Sequence, residues 1–440
     1  MKWVNAKVAP EHLTTRSHRH IIIYLDISPQ LSLASCAMKA QKLLCAVLLA
    51  LGRLRPLTAL PSLTAARQIQ SSNRHQLAPF SNFNNNLVFE PTENYTSWKT
   101  LYARTLQLPD DSLLITWEDY PPEPPPDYFP IYRSTDDGVS WSEYSRVRDT
   151  VNGWGLRYQP FLYLLPYNFG GYRAGTVLIA GVSTPDDLSA SKIDVYASKN
   201  GGLTWEFVSH IATGGTEIAS NGDPAIWEPF FLMYGNELIC YYSDHRDPAH
   251  GQKLVHVKTS DLRTWGEVVD DVAYPEYTAR PGMAVVSHIR STDKYLMTYE
   301  YGGGPVDGVV NSSSYEYPVF YKVADNPLFF GQVEGLPLVS NDASRTVPNS
   351  SPYNIWTEQY GSSSGILIMN ALSSGNVFVN HDSADVNGWQ LRPTGENAGY
   401  SRSLRIIQQK GEKKLLIASG GVMKTERNNV TVGVIEIPRL

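Results

Sequence analysis

The chain has 440 residues, of which 42% are hydrophobic and 18% are charged, and its formal net charge is −6. A chain of this length can bury a large core, and its body carries no run of Lys or Arg, which argues against a nucleic-acid partner. The 26 Tyr and 10 Trp residues suit a protein that binds sugars, because aromatic faces stack on sugar rings.

The chain begins with a leader. Residues 38–66 start with a short charged stretch, continue with the apolar run Leu43–Gly52 and end in small residues, which is the pattern of a secretory signal peptide. The apolar run is too short to cross a bilayer. Residues 1–37 resemble neither a domain nor a targeting element, and we interpret them as an upstream extension that is disordered or not native. The sequence thus predicts a secreted protein whose single catalytic domain spans residues 67–440.

The glycosylation sequons agree with secretion, and the cysteine content predicts that there is no disulfide. N-x-S/T triplets begin at Asn94, Asn311, Asn349 and Asn429, and Pro352 after the third disfavours its use. Cys240 is alone after the leader, so no intramolecular disulfide is expected. No Cys and His residues have the spacing of metal ligands, and we expect neither a metal nor a cofactor.

A short phrase recurs along the body. It reads S-x-D-x-G-x-x-W at Ser134–Trp141, repeats with Asn for Asp at Ser198–Trp205, and returns in shortened forms at Thr259–Trp265 and Asp385–Trp389. The Asp or Asn side chain can bond its own turn, Gly supplies a positive φ, and Trp fills an apolar layer. This phrase is the Asp box of sialidase-like β-propellers, which forms outer hairpins of the blades. It indicates a fold and says nothing about chemistry.

Six repeat units surround these turns. Each unit has a first strand, a turn and a second, more apolar strand rich in Leu, Ile, Val and Tyr. First strands begin near Leu101, Tyr158, Trp227, Gly282, Tyr353 and Ser403, and their partners are Leu113–Trp117, Thr176–Val182, Glu237–Tyr242, Lys294–Tyr299, Gly365–Ala371 and Lys414–Ser419. We predict an all-β, six-bladed, sialidase-like β-propeller. Five blades are the alternative, because the last units are the least clearly delimited.

Two carboxylates stand where a propeller presents ligand-binding groups. First strands start at the active face and second strands return to it. Glu228 opens the first strand of blade 3, between Trp227 and Pro229, whereas Glu300 closes the second strand of blade 4. Adjacent blades bring these two positions together across the central funnel.

Their neighbours suggest different roles for the two acids. Apolar neighbours should desolvate Glu228 and raise its pKa, which suits a general acid. Hydrogen bonds from the hydroxyls of Tyr299 and Tyr301 should keep Glu300 ionised, which suits a nucleophile. Carboxyl groups about 5–5.5 Å apart would make a retaining glycosidase. For each Glu, a solvated or salt-bridged edge residue is the alternative.

Other polar and aromatic residues fall near the same face. Glu118 occupies in blade 1 the place that Glu300 has in blade 4, as a rival catalytic carboxylate or a substrate-binding one. Further substrate-binding candidates are Arg157, Tyr158, Asp223, Trp227, Asp244, Arg280, Tyr299, Tyr301 and Arg402, and Trp154 and Tyr400 are further possible sugar platforms. For the aromatic residues, packing in the funnel wall is the alternative.

From about residue 84 to the end, the chain resembles the exo-α-1,5-L-arabinanases of glycoside hydrolase family 93, which are secreted fungal propellers. The resemblance lies in Asp-Pro-Ala-Ile-Trp-Glu-Pro at 223–229, Met-Thr-Tyr-Glu-Tyr-Gly-Gly at 297–303, and the 72 residues between Glu228 and Glu300. It implies that Glu228 is the acid/base and Glu300 the nucleophile. It also implies release of arabinobiose from the non-reducing end of linear arabinan, with retained configuration.

Two other functions remain open at this point. A sialidase needs three arginines around a carboxylate; Arg104, Arg280 and Arg402 lie near first-strand starts, but Arg104 precedes Thr-Leu and not the Ile-Pro of sialidases. A non-catalytic sugar-binding propeller would be favoured if Glu228 and Glu300 lay far apart. In each case we expect a monomer with a polysaccharide or oligosaccharide ligand, and neither a nucleic-acid nor a membrane partner.

Overall fold

The computed structural model describes residues 80–439, except 96–97, 122–125, 310–313, 360–361, 424 and 426–427. The predicted leader, residues 1–66, lies outside the described residues, as does the sequon at Asn311. The described residues form 24 β-strands and a single short 3₁₀ turn, Phe330–Gln332. Among them, no helix has the length and apolar character needed to cross a membrane.

The strands form six four-stranded antiparallel sheets, which are the six predicted blades. Blade 1 contains β2 Thr100–Gln107, β3 Leu113–Asp119, β4 Tyr128–Ser134 and β5 Ser142–Arg148, and blade 2 contains β6 Gly155–Leu164, β7 Val177–Thr184, β8 Ser191–Ser198 and β9 Glu206–Gly214. Blade 3 contains β10 Ile226–Tyr234, β11 Glu237–Asp244, β12 Lys253–Thr259 and β13 Val269–Val272, and blade 4 contains β14 Arg280–Ile289, β15 Lys294–Gly302, β16 Val319–Ala324 and β17 Leu336–Pro337. Blade 5 contains β18 Tyr353–Gln359, β19 Ser362–Ala371, β20 Ser374–Asn380 and β21 Gln390–Arg392, and blade 6 contains β22 Ser403–Gln409, β23 Glu412–Ser419, β24 Val430–Glu436 and β1 Phe83–Phe89. The six-bladed prediction is confirmed, and the five-bladed alternative is wrong.

The apolar second strands are buried between neighbouring blades. Every residue of β3 and of β7 is buried, because both faces of a central strand are covered by the adjacent sheets. The first strands contact one another in sequence around the ring, β2 with β6, β6 with β10 and so on to β22 with β2. First strands therefore surround the propeller axis.

The Asp boxes form the turns between third and fourth strands, as predicted. In the first box, Asp136 Oδ1 accepts the Ser140 N–H at 2.8 Å, and Gly138 has a φ of +89°. The Trp141 indole N–H donates to the Gly138 carbonyl at 3.0 Å. These contacts close the hairpin at the outer edge of blade 1, away from the axis.

Blade 6 is built from both ends of the described chain. Strand β1 pairs antiparallel with β24, from Phe83 opposite Val434 to Phe89 opposite Val430. The other three strands of this blade come from the last forty residues of the chain or so. The N-terminal strand thus closes the ring.

Every first strand has a left-handed residue that is not glycine, either among its first five residues or two residues before it begins. In blades 1–4 this residue interrupts the pairing with the second strand, as in a β-bulge. We call these the bulge residues: Tyr102 (φ 55°), Gln159 (49°), Glu228 (64°), Met283 (59°), Ser351 (47°) and Ser401 (54°). Such backbone is sparsely populated for residues with a side chain and persists only where the surroundings enforce it. The ring of bulge residues surrounds the axis at the level of the candidate site.

Candidate active site

Glu228 and Glu300 meet over Gly282. Glu228 is the bulge residue of β10, and Glu300 lies directly opposite Gly282 in the β14–β15 ladder. A Cβ atom placed on Gly282 would lie 3.5 Å from Glu228 Oε2 and 3.5 Å from Glu300 Oε1. The two oxygens are therefore at most twice that distance apart, a range that includes the roughly 5–5.5 Å spacing of retaining glycosidases. The predicted meeting of the two acids is confirmed.

The Glu228 carboxyl is held on one oxygen. Its Oε2 accepts the Ser243 hydroxyl at 2.7 Å and the Met283 N–H at 2.7 Å. Burial raises the pKa of Glu228, while these two bonds, the nearby Tyr102 hydroxyl and the Arg280 charge act to lower it. The predicted rise is confirmed, and burial is its main cause. This carboxyl is suited to carry a proton.

The Glu300 carboxyl is held in the same way by the start of blade 5. Its Oε2 accepts the Ser350 hydroxyl at 2.9 Å and the Ser351 N–H at 2.8 Å. Burial raises the pKa of Glu300 to about 7, and the negative charge of Glu228 adds to the rise. The two hydrogen bonds and the Arg280 charge act in the opposite direction.

The predicted contacts of Tyr299 and Tyr301 with Glu300 are not formed. Successive side chains of a strand point to opposite faces, so both tyrosines face away from the Glu300 carboxyl. Tyr299 is buried, and its hydroxyl bonds that of Tyr274 at 2.8 Å. The Tyr301 ring stacks on Tyr274 with 3.8 Å between centroids. Their placement as substrate contacts is therefore wrong for Tyr299 and is not supported for Tyr301.

Glu118 is a third buried carboxyl of the same funnel. Its Oε1 accepts the Gln159 N–H at 2.9 Å, and its Oε2 accepts the Tyr120 hydroxyl at 2.9 Å. Burial raises the pKa of Glu118 to about 7, and the charges of Arg104 and Glu228 act on it in opposite directions. The two hydrogen bonds argue against Glu118 as a nucleophile, but each of its oxygens accepts a single bond and can still accept a sugar hydroxyl.

An aromatic wall adjoins the acids on the side of blades 2 and 3. The partly exposed Trp227 ring lies 6.0 Å from the Tyr158 ring and 6.0 Å from the His245 ring, centroid to centroid. The Arg157 Nε donates to the Tyr158 hydroxyl at 3.0 Å, and its Nη1 pairs with Asp127 at 2.7 Å. Arg157 therefore ties the segment after β3 to blade 2, which leaves Trp227 and Tyr158 as the sugar-facing candidates.

Arg280 lies where its charge reaches both acids and lowers the pKa of each. Its Nη1 donates to the Ala219 carbonyl at 2.8 Å, and its Nη2 lies 3.3 Å from Gln252 Oε1. Gln252 in turn donates to the Pro281 carbonyl at 2.7 Å, under the Gly282 floor. This geometry agrees with a role of Arg280 in tuning the two carboxyls.

Arg402 and Asp244 are engaged elsewhere. The buried Arg402 guanidinium donates to carbonyls of the β19–β20 hairpin of blade 5 and of the segment after β21, namely those of Ala371, Ser374, Gly375, Asn376 and Asn397. Both Asp244 oxygens bond Arg246, at 2.9 and 2.7 Å. The structure therefore does not support substrate binding by either residue. Asp223 is partly exposed on the loop before β10, where its backbone closes a local turn.

The arginine cluster of a sialidase is not formed. Arg104, like Arg402, is buried, and it donates to the carbonyl and hydroxyl of Ser401 at 2.9 and 2.8 Å. Of the three, only Arg280 acts on both Glu228 and Glu300, whereas Arg104 acts on Glu118. This observation disfavours the sialidase alternative.

Two tyrosines of the funnel, Tyr102 and Tyr400, lie near the acids, and the sequence did not predict this contact. The Tyr102 and Tyr400 rings are 5.8 Å apart in an edge-to-face arrangement. Burial and the surrounding carboxyls raise the pKa of both phenols well above the ordinary value, so both stay protonated and can donate. Tyr102 has the same place in its first strand as Glu228, so aligning the six first strands would have found it.

Gly282 forms the floor between the acids, and its substitution gives a direct test of the geometry. In Gly282→Ala the new Cβ would lie 2.8 Å from Gln252 Nε2 and 3.5 Å from one oxygen of each acid. We expect kcat/KM to fall about 100-fold, since small misplacements of reacting groups have effects of this size. The loss of thermal stability should be moderate, because Gly282 does not need a positive φ and the close contact is with the end of the Gln252 side chain, which has to shift. Unchanged kinetics would show that the acids do not work across this residue.

Glu217, on the loop before β10, tests the electrostatics of the funnel independently of catalysis. It is buried, its Oε2 is 3.4 Å from the Ile226 N–H, and burial raises its pKa to about 8. Folding raises the pKa of this carboxyl. Its contribution to stability is therefore complete at pH values below the pKa that Glu217 has in the unfolded chain, and it is lost as the pH rises to 8. Glu217→Gln should therefore be more stable than the wild type at pH 8, by on the order of 2 kcal/mol, with little difference at pH 4. Denaturant unfolding at the two pH values measures this, and equal gains at both would contradict it.

Within the part of the chain that the structure describes, no group of three or more His, Cys, Asp or Glu side chains is placed to hold a metal ion. The chemistry available at the site is that of two carboxyls, with a third nearby and an aromatic wall beside them.

No protein-family model and no curated protein sequence matches the chain, but solved structures do. The α-L-arabinanase of Penicillium chrysogenum, complexed with arabinobiose, is 45% identical over 81% of this chain and 98% of that chain, with a TM-score of 0.76. The GH93 α-L-arabinofuranosidase of Fusarium graminearum, also with arabinobiose, is 43% identical over 81% and 98% of the two chains, with a TM-score of 0.77. The NanB sialidase of Streptococcus pneumoniae, at 10% identity, 81% and 71% coverage and a TM-score of 0.51, shares the fold alone.

Proposed function

Because the chain belongs to glycoside hydrolase family 93, we propose that this glycosidase cleaves linear α-1,5-L-arabinan from its non-reducing end and releases arabinobiose. The observation that carries this proposal is the meeting of Glu228 and Glu300 over Gly282 in a funnel with an aromatic wall. Arabinobiose bound to both of the similar enzymes supports the choice of sugar.

We infer a retaining mechanism with two displacements. Glu300 attacks the anomeric carbon as a carboxylate, the glycosidic C–O bond breaks, and Glu228 gives its proton to the departing oxygen. Glu228, now ionised, then takes a proton from water, whose oxygen attacks the same carbon and releases Glu300. Two inversions restore the original configuration. The contacts of the two acids are alike, with two hydrogen bonds on one oxygen and a pKa raised by burial, so the assignment of the acid/base to Glu228 and the nucleophile to Glu300 follows the family.

The residues around the acids supply the contacts for the sugar. We propose that Trp227 and Tyr158 offer aromatic faces to the furanose rings, since such rings have an apolar face that stacks on aromatic groups. Glu118 would bond a sugar hydroxyl, and Arg280 would tune the acids. Non-catalytic sugar binding is the competing function, and the meeting of the two acids over Gly282 disfavours it.

Secretion and a monomeric state remain part of this proposal. The sequence pattern of residues 38–66 supports secretion, and a polysaccharide substrate lies outside the cell. A propeller closed on itself needs no partner to cover an open sheet edge at its ring.

Product analysis tests the function. Debranched arabinan is incubated with the protein that starts at residue 67, and the products are followed by chromatography, with the anomeric configuration of the first product read by NMR. We expect arabinobiose as the dominant early product, with retained configuration. A ladder of longer oligomers would contradict exo action, inverted product would contradict the mechanism, and release of sialic acid from sialyl-lactose or no hydrolysis of either substrate would overturn the proposal.

A further inference from the structure

Three carboxyls of the funnel share a mode of attachment. Each accepts the backbone N–H of the bulge residue on the next blade. The pairs are Glu118 with Gln159 at 2.9 Å, Glu228 with Met283 at 2.7 Å and Glu300 with Ser351 at 2.8 Å. A repeated contact of this kind couples the position of each acid to the backbone of its neighbouring blade.

The strand pairing explains why these N–H groups are available. Bulges leave Gln159 and Met283 out of their ladders, and Ser351 precedes the first strand of blade 5, so none of the three N–H groups has a ladder partner. A buried N–H must be satisfied, and here the partner is a carboxyl of the preceding blade. The acid is fixed by backbone that the strand pairing itself holds in place.

Two serine hydroxyls complete the arrangement for the reacting pair. Ser243 donates to Glu228 Oε2 at 2.7 Å, and Ser350 donates to Glu300 Oε2 at 2.9 Å. In both acids the hydroxyl and the bulge N–H bind the same oxygen. For Glu300, Oε1 receives no hydrogen bond from the described residues and faces Gly282 and the other acid. Its free oxygen is thus directed at the place where a sugar carbon would react.

We propose that Ser243 and Ser350 are positioning residues, each of which separately sets the protonation of one acid. The proposal rests on the function proposed above. A hydroxyl that donates to a carboxylate stabilises the charged form, and in a buried site this effect is large. Ser350 therefore favours the ionised form of Glu300, and Ser243 favours the ionised form of Glu228, each against the effect of burial.

The two serines should affect different limbs of the pH profile. Loss of either hydroxyl raises the pKa of the acid it binds. Because Glu300 must be ionised, Ser350→Ala should move the acid limb of the kcat/KM profile to higher pH, by about one unit. Because Glu228 must be protonated, Ser243→Ala should move the alkaline limb to higher pH and leave the acid limb in place.

A pair of variants at position 350 separates positioning from folding. Ser350 has a φ of +62°, which Gly adopts without strain and Ala does not. Ser350→Gly and Ser350→Ala should therefore differ in thermal stability and agree in the shift of the acid limb. Ser287→Ala is the matched control: Ser287 lies on β14 and donates to the Asn354 carbonyl at 3.3 Å, away from both acids. It should move neither limb.

A second measurement does not depend on activity. In protein with ¹³C-labelled Glu carboxyls, NMR titration follows the two acids, whose signals are assigned with Glu228→Gln and Glu300→Gln. The Glu300 signal should titrate at higher pH in both Ser350 variants, and the Glu228 signal should do so in Ser243→Ala. Unchanged titrations, or one serine moving both acids equally, would overturn the proposal. A wild-type protein inactive on arabinan that still shows these shifts would instead overturn only the proposed function.

Discussion

Glu300→Ala is expected to lose arabinan cleavage by on the order of 10⁴-fold or more while it keeps its fold. The variant removes the group that forms the bond to the sugar, and loss of a nucleophile has effects of this size in other enzymes. The Ser350 hydroxyl and Ser351 N–H would be left without their acceptor, so a small loss of stability should accompany the change. Initial rates on debranched arabinan and thermal unfolding measure the two effects.

Added azide distinguishes the loss of a nucleophile from general damage. With the Glu300 carboxyl removed, azide can enter the space over Gly282 and attack the sugar directly from the same side. A single displacement inverts the configuration, so the product should be an arabinosyl azide of inverted configuration. Substantial cleavage by Glu300→Ala without azide would contradict the assignment of this residue.

Glu228→Ala should show a loss that depends on the leaving group. General acid catalysis contributes about 10²–10⁴-fold, and arabinan has a poor leaving group that needs the proton. Cleavage of arabinan should therefore fall by about 10³-fold, whereas an aryl arabinoside with an acidic phenol should still form the glycosyl-enzyme quickly. Rapid mixing should then show a burst of phenol, because water is no longer activated for the second step.

The azide experiment has the opposite outcome for this variant. Azide attacks the glycosyl-enzyme that Glu300 has formed, so its product should have retained configuration. Glu228→Gln, with nearly the same shape, serves as the control for the cavity that Ala leaves. If arabinan and the aryl arabinoside lost activity equally, Glu228 would not be the acid that protonates the departing oxygen.

The fold follows from local sequence to a large extent. The second strands are continuous apolar runs because they are buried on both faces, and the Asp boxes mark the turns after the third strands. The pairing of β1 with β24 has no such local signal. Nothing in the residues of Phe83–Phe89 says which strand at the far end of the chain they join, since that is set by closure of the ring.

The positions of Glu228 and Glu300 within their strands were sufficient to predict that the two acids meet, but not to identify the residues that hydrogen-bond to them. The hydroxyls expected beside Glu300 belong to the other face of its strand, and Ser350 takes their place from blade 5. Gln252 and Ser243 lie in unremarkable sequence, and only the packing of blades 3 and 4 brings them to the acids. Arg402 lies just before the first strand of blade 6, yet its guanidinium donates hydrogen bonds to carbonyls of blade 5.

The shared construction of blade 6 has consequences for synthesis and for proteolysis. The ring cannot close until β24 has left the ribosome. For most of translation the N-terminal strand of a nascent chain therefore has no partner. Pairing between strands so far apart in sequence is slow. Maturation cleavage should fall before Phe80, which is buried in the core beside β1. A protease that cuts after β1 would remove this strand and expose the unpaired edge of β24. An exposed strand edge favours aggregation.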